Sequence, residues 1–303
     1  MLSVIVPVYN EEESILPLYE ELQASLGKND EVLFVDDGSR DSTAERVKKL
    51  IAGDSRVRLV RFQRNFGKAA ALAAGFERAR GDVIITMDGD LQDDPSEIPR
   101  FLEAITEHDM VSGWKVHRKD PLGKRLPSRF FNWLTALVTG LQIHDFNCGF
   151  KAYRKEVVRH LNLYGELHRY IPALAHWEGF SVGEIPVNHH PRRFGRSKYG
   201  IERLTKGFFD LLTVKFLMTY AKRPLHFFGW IGAGFTALGA LAGLWVVYLK
   251  LLGEAVGNRP ILVLSVLLIV VGIQFFSLGL LGEIVSSHSG PRYIVREETT
   301  RMP

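Results

Sequence analysis

Between Phe227 and Leu249 the chain runs for 23 residues without a charge, and between Ile261 and Leu281 for another 21, Gln274 being the most polar member. A helix needs about 20 mostly apolar residues to cross the hydrocarbon core of a bilayer, and buried helices of soluble proteins seldom run this far without one charged side chain. Both stretches are therefore expected as membrane spans. The link 250–260 is short and carries Gly253, Gly257 and Asn258, which makes the pair a hairpin. Lys215, Lys222 and Arg223 precede the first run and Arg292, Arg296 and Arg301 follow the second; the link holds Lys250 and Arg259, partly offset by Glu254. Positive charge gathers on the cytoplasmic side of a membrane protein. A multi-pass protein of the cytoplasmic membrane is expected, with both termini and the whole N-terminal part in the cytoplasm.

Upstream of Tyr199, charged and apolar residues alternate as in soluble proteins. Met1 leads almost directly into a strand-like segment with no basic n-region or cleavage site, so no signal peptide is expected. One cysteine, Cys148, excludes an intramolecular disulfide and reads as a small buried apolar residue. The net charge of +4 and pI near 9.1 raise the question of nucleic acid. No basic stripe with interleaved aromatics is present, and the Lys and Arg cluster beside the apolar runs, so no nucleic acid is expected and anionic lipid is the better partner.

In this upstream part, apolar runs of strand length recur with helical segments between them. Strands are predicted at 2–7, 31–35, 57–60, 83–86 and 109–112, and helices at 12–26, 42–52, 67–79 and 95–107. Ser42-Thr43-Ala44-Glu45 reads as a capping box, and Pro95 suits a first helical turn. Such alternation implies an α/β fold with a mostly parallel sheet, whose ligands lie beyond the carboxyl ends of the strands. The polar clusters fall at those ends: Pro7-Val8-Tyr9-Asn10-Glu11, Asp36-Asp37-Gly38-Ser39 and Asp88-Gly89-Asp90. Taken singly, Asp36-Asp37-Gly38 reads as a turn feeding a helix cap; three clusters on one edge read as a site. No Gly-x-Gly-x-x-Gly follows a strand, and Gly67-Lys68 lacks the earlier glycine of a P-loop, so dinucleotide and ATPase readings fall away.

Four carboxylates, Asp88, Asp90, Asp93 and Asp94, fall within seven residues. Their mutual repulsion calls for a compensating positive charge. Asp88 and Asp90 are two apart at a strand end, so their side chains can share a side, and Gly89 lets backbone approach a ligand. Hard dications take oxygen ligands, and Mg²⁺ commonly takes one or two carboxylates plus substrate phosphates.

With Val6-Pro7-Val8-Tyr9-Asn10-Glu11, Val35-Asp36-Asp37-Gly38-Ser39 and Asp88-Gly89-Asp90-Leu91-Gln92 in this order and near this spacing, the chain resembles the family-2 glycosyltransferases. Within them it looks like the dolichol-phosphate mannose synthase and bacterial polyprenyl-phosphate glycosyltransferase branch. Asn147-Cys148-Gly149-Phe150-Lys151 and Arg193-Phe194-Gly195-Arg196-Ser197-Lys198-Tyr199 also resemble its segments, and the two-span ending matches the bacterial type. The resemblance implies a GT-A (Rossmann-like) domain over 1–199, a juxtamembrane amphipathic helix over 200–226, a transmembrane hairpin over 227–281 (227–249 and 261–281) and a tail over 282–303. It implies a nucleoside-diphosphate sugar, UDP- or GDP-linked, and Mg²⁺ or Mn²⁺. Pro7, Tyr9 and Glu11 with Val35, Asp36 and Asp37 would line the nucleoside pocket; Asp88, Gly89, Asp90 and Gln92 would meet the diphosphate, with Asp88, Asp90 and Gln92 on the metal. Lys115, in Ser112-Gly113-Trp114-Lys115, stands where the branch usually has arginine; it keeps the charge and loses the bidentate fork.

On the acceptor side, Lys124, Arg125 and Arg129 lead into Phe130, Phe131, Trp133, Leu134, Leu137 and Val138, a pattern suited to a helix at a membrane surface or to one packed on the sheet. The 201–220 segment is similar. Arg129, Arg193, Arg196 and Lys198 are expected to bind the acceptor phosphate, since guanidinium donors match phosphate oxygens; Arg196 replaces a position often acidic in the branch. With Asp90 and Asp145, the residues Arg129, Arg193 and Lys198 form the expected catalytic set, Asp145 orienting the acceptor or acting as base. His144, His189 and His190 read as structural. The expected reaction is inverting transfer of the sugar to a polyprenyl phosphate, undecaprenyl or dolichyl. A transferase to diacylglycerol or ceramide is the alternative. Polymer synthesis is disfavoured because no Gln-x-x-Arg-Trp occurs, and a non-enzymatic adaptor because it would gain nothing from the acidic cluster. Homo-oligomer formation stays open.

Overall fold

The computed structural model describes residues 1–116, 132–191, 193, 211–216, 218–220, 223–257 and 259–287. The chain divides into two units, Met1–Val214 and Lys215–Pro303. Unit one is built on a seven-stranded sheet: β1 Leu2–Val8, β2 Glu31–Asp36, β3 Val57–Arg61, β4 Val83–Thr86, β5 Met110–Lys115, β6 Lys151–Arg154 and β7 Val182–Val187, in the order β3-β2-β1-β4-β6-β5-β7. Strand β2 is buried at every position and β1 at all but Pro7, as parallel strands covered on both faces must be.

Five strands and the four early helices stand where the apolar periodicity places them, with shifted ends. Helix α1 (Ile15–Gln23) buries Ile15, Leu18, Tyr19 and Leu22, the i, i+3, i+4, i+7 stripe of an amphipathic helix. Helix α2 covers Thr43–Gly53 and α3 Lys68–Arg78. The expected 95–107 helix is a 3₁₀ turn, Pro95–Glu97, continued by α4, Ile98–Ala104; Asp94 caps it by accepting the Ser96 N–H. The capping box does not form. Ser42 makes no side-chain cap; the Asp41 carboxylate instead accepts the Thr43 N–H at 3.0 Å and its hydroxyl at 2.6 Å, and Glu45 turns outward to Lys48. The Ser42 N–H, which the box would give to Glu45, goes to the Glu12 carboxylate at 3.1 Å.

Strand β6 is antiparallel to both β4 and β5 while the other six strands run parallel, so the sheet is mostly parallel as expected, with one reversed strand; neither β6 nor β7 was foreseen. Strand β7 is an edge strand, which is how it accommodates Pro186. The reversal of β6 matters for the site. The register Pro7↔Val35, Thr86↔Lys151, Ser112↔Lys151 and Lys115↔Val187 brings the ends of β1, β2, β4, β5 and β7 and the start of β6 to one edge. Helix α3 lies close on that sheet because Gly75 has no side chain: a Cβ there would stand 2.6 Å from Ile5 Cγ2.

A short helix α5, at 132–139, leaves Trp133 and Leu137 well exposed while Thr135 and Thr139 are buried. Helix α6 (Lys155–His160), a 3₁₀ turn (Leu167–Tyr170) and helix α7 (Ile171–Trp177) follow in unit one. Unit two contains two 28-residue helices, Pro224–Leu251 and Pro260–Ser287, packed as a hairpin. Only 17% and 11% of their most apolar windows are buried, which is the reverse of a soluble core helix and leaves an apolar surface for lipid. They contact where side chains are small: a Cβ on Gly232 would meet the Gly272 carbonyl at 2.7 Å, and one on Gly239 the Ser265 carbonyl at 2.8 Å. The Glu283 carboxylate accepts the Leu225 N–H, satisfying an orphan donor at the start of the first helix.

Candidate active site

At the shared edge, the turn after β2 is a closed hydrogen-bonded unit. Asp36 is fully buried; one oxygen accepts the Ser39 N–H at 2.9 Å and the other faces Arg61 Nε at 3.1 Å. Asp37 turns the other way and accepts the N–H groups of Phe66 (2.7 Å) and Gly67 (2.9 Å). Burial raises its pKa, against those two bonds. Both carboxylates thus hold the 61–67 loop that leads into α3. Val35 is buried within its strand; Pro7 and Tyr9 stand half-buried at the end of β1, and Glu11 follows them, its N–H donated to Thr43 Oγ1 at 2.9 Å. The nucleoside candidates are therefore neighbours at the ends of two adjacent strands.

The Asp88–Asp94 stretch receives much of its positive charge from the fold itself. Lys68, the first residue of α3, is bonded to Asp88 Oδ1. Lys115 Nζ lies 3.0 Å from Asp93, and His190 Nε2 3.2 Å from Asp94. Burial opposes the Asp88 charge but is outweighed by Lys68, Lys115 and Lys151, which hold its carboxyl far below the usual range. Burial likewise opposes the Lys115 charge, and Asp93 and Asp88 together hold it protonated. Lys115 is thus engaged with Asp93, and its expected role on the diphosphate competes with that pair.

Asp90 is buried and its Oδ1 accepts the Gln92 N–H at 3.2 Å; the Gln92 amide reaches the His190 carbonyl. A Cβ on Gly89 would stand 2.8 Å from Val8 Cγ1, so the glycine is required by packing on β1 within the fold itself. Among the described residues no group of three His, Cys, Asp or Glu side chains is gathered for a metal. Asp88, Asp90 and Gln92 form too small a set for a protein-only cage. As hard oxygen donors beside a strand end they fit an ion shared with diphosphate, which asks the protein for only one or two carboxylates.

The segment before β6 closes the site from the other side. Asp145 is buried; its N–H donates to Glu184 Oε1 at 2.9 Å and its Oδ1 accepts the Asn147 N–H at 3.1 Å. His144 stacks on Trp114 at 3.9 Å between ring centroids and pairs with Glu184, a structural histidine as expected. Asn132 on α5 donates to the His144 carbonyl. Gly149 lies flat against Asp88, and Lys151 donates to the Cys148 carbonyl; burial lowers the Lys151 pKa and pushes the Cys148 thiol up to about 12. A cavity of about 10 Å³, lined by Lys68, Thr86, Lys151, Tyr153 and His168 and by apolar Leu72 and Ile171, has room for roughly one water. Burial, Lys68, Arg169 and Lys151 hold His168 neutral, with a pKa lowered to about 2.

Arg193 donates from one guanidinium nitrogen to Glu21 on α1 at 3.1 Å. Arg129, Arg196 and Lys198 lie outside the described residues, as does most of the expected 200–226 helix. Sequence reasoning missed Lys68 and His168. A signal for Lys68 existed: a cation in the first turn of a helix opposes the macrodipole, and its presence there asks for an anionic partner.

Residues 3–161 match the family model described as Glycosyl transferase family 2, and residues 223–287 that described as the GtrB C-terminal hairpin. A dodecaprenyl-phosphate galacturonate synthase of Rhizobium johnstonii is 41% identical, the alignment covering 98% of this chain and 92% of that protein. An undecaprenyl-phosphate 4-deoxy-4-formamido-L-arabinose transferase of Shewanella sediminis is 39% identical over 97% of this chain and 91% of its own. Among solved structures, glucosyl-3-phosphoglycerate synthase of Mycobacterium tuberculosis, in complex with Mn²⁺, UDP and glucosyl-3-phosphoglycerate, superposes with a TM-score of 0.57 at 17% identity, covering 72% of this chain and 79% of that one. That likeness speaks for the fold alone.

Proposed function

The chain belongs to glycosyl transferase family 2, and from that premise we propose that it transfers a sugar from a nucleoside-diphosphate donor to a membrane polyprenyl phosphate, with inversion at the anomeric carbon. The observation that carries this reading is the end-to-end similarity, hairpin included, to enzymes named for polyprenyl-phosphate acceptors. Catalysis is assigned to the 1–199 domain on the cytoplasmic face, and anchorage to the 227–281 hairpin, preceded by the 200–226 juxtamembrane helix.

Pro7, Tyr9, Glu11, Val35, Asp36 and Asp37 take the nucleoside, with the two aspartates acting chiefly through the turn they hold. Asp88, Asp90 and Gln92 hold Mg²⁺ or Mn²⁺; the ion, when bound, stabilises negative charge on the departing diphosphate. Arg129, Arg193, Arg196 and Lys198 grip the acceptor phosphate. A phosphate monoester has a second pKa of about 6, so the attacking oxygen is already ionised at neutral pH and no strong base is needed. Asp145, with an oxygen on the Asn147 N–H, orients the 145–149 segment against Asp88.

The test is a membrane assay offering UDP- and GDP-sugars with undecaprenyl or dolichyl phosphate, with and without EDTA. Transfer to free lipid phosphate, abolished by EDTA and by Asp90→Ala, is expected. Transfer to diacylglycerol with none to lipid phosphate overturns the assignment of the acceptor.

A further inference from the structure

Lys68 begins α3, where the helix dipole disfavours a cation. It is nonetheless delivered there firmly. Asp37 pins the two preceding N–H groups, and Gly75 lets the helix lie flat on β1. Its ammonium is bonded to Asp88, whereas the neighbouring Lys115 faces Asp93 and Lys151 donates to the Cys148 carbonyl. The carboxylate that begins the Asp-x-Asp pair is therefore already matched by a cation belonging to the chain.

A dication approaching that carboxylate meets the ammonium first. Like charges at such range repel strongly in a partly buried site. A nucleoside diphosphate changes the balance, because its oxygens accept both the dication and the ammonium, and the flexible lysine stem lets the charged end follow them. We propose that Lys68 is a tethered counter-cation that holds Asp88 while the site lacks donor, and so makes dication uptake depend on the arriving diphosphate. Lys68 is then a positioning residue for the reaction, and the inference rests on the transferase reading above. It orders the binding events: donor and ion enter together, and the empty site does not collect metal.

Mn²⁺ binding to the purified full chain in detergent, followed by electron paramagnetic resonance of the free ion, tests this without turnover. Titrations are run with no nucleotide, with saturating UDP and with saturating GDP, on the wild type, Lys68→Met and Lys68→Arg. The wild type is expected to bind Mn²⁺ at least about tenfold more tightly with one of the nucleotides than without. Lys68→Met should bind Mn²⁺ alone at least about tenfold more tightly than the wild type, with the nucleotide effect shrunken, and Lys68→Arg should restore the wild-type pattern. A purely structural lysine would not improve metal binding when removed. Equal Mn²⁺ affinity of wild type and Lys68→Met in the absence of nucleotide overturns the inference. So does a wild type that binds Mn²⁺ equally well with and without nucleotide, a result independent of whether any variant folds. A wild type that binds no Mn²⁺ even with UDP or GDP overturns the transferase reading, and the role of Lys68 with it.

Discussion

Gly149→Ala perturbs the site at one contact. A Cβ on Gly149 would stand 2.7 Å from Cγ, Oδ1 and Oδ2 of Asp88. The backbone at 149 is not in the left-handed region, so alanine adopts it without strain and the clash is the whole effect. Restoring an ordinary contact of 3.4 Å moves the carboxylate or the 147–150 backbone by about 0.7 Å. The backbone is the stiffer of the two, because Thr86 Oγ1 donates to the Gly149 carbonyl at 2.9 Å and Lys151 to the Cys148 carbonyl. Asp88 therefore gives way, and its bond to Lys68 is distorted with it. Overpacking of this size costs about 1–3 kcal/mol, and in a unit of this length each kcal/mol lowers Tm by about 2–4 °C. Misplacement of a binding group by nearly 1 Å can cost about 10²-fold in rate. Initial rates of sugar transfer, measured beside thermal unfolding, should show kcat/KM lowered by about 10- to 100-fold in a protein still folded at the assay temperature. Wild-type kcat/KM would refute the premise that the Asp88 carboxylate must stand where Gly149 leaves it.

Other perturbations separate stability from activity. Glu31 is buried at the start of β2, accepting from Ser3 Oγ and the Arg80 N–H and paired with Arg58, each at 2.7 Å; Glu31→Ala should cost about 2–3 kcal/mol by stranding those donors, seen in thermal unfolding. The start of β2 lies at the sheet edge away from the site, so kcat/KM should stay at the wild-type value. His168 is neutral in the fold, its pKa lowered from 6.5 to about 2, while the unfolded chain takes up its proton as pH falls through 6.5. The stability from this residue is complete above pH 6.5 and is lost on acidification, by up to about 1.4 kcal/mol per pH unit. Tm of His168→Gln should accordingly fall less than that of the wild type between pH 6.5 and 5.

The sequence shows the elements whose signals are local. Continuous apolar runs mark β1, β2 and β4, the Ile15-Leu18-Tyr19-Leu22 stripe marks α1, and two long charge-free stretches mark the hairpin. Strand β6, four residues with a charge at each end, has no period to detect, and its reversed direction is dictated by β4 and β5 on either side. The capping box fails because Glu12 takes the Ser42 N–H that Glu45 would have bonded, and Glu45 pairs with Lys48. Among site residues, Asp88 and Asp90 are visible as a carboxylate pair at a strand end. Lys68, twenty residues earlier, is brought to them by helix packing that no local pattern encodes.

The acidic stretch also reads differently once its neighbours are known. Four carboxylates in seven residues suggest a site that only an external cation could stabilise. The fold supplies a lysine each to Asp88 and Asp93 and a hydrogen-bonding imidazole, His190, to Asp94, so the cluster has partners before any ligand arrives. Under the proposed function, the metal is then left to act on the donor's diphosphate. A site organised this way spends its anionic charge on its own lysines at rest and releases part of it to substrate. Loss of Lys68 and loss of Asp90 should therefore fail differently: the first in when the ion binds, the second in whether it can be held.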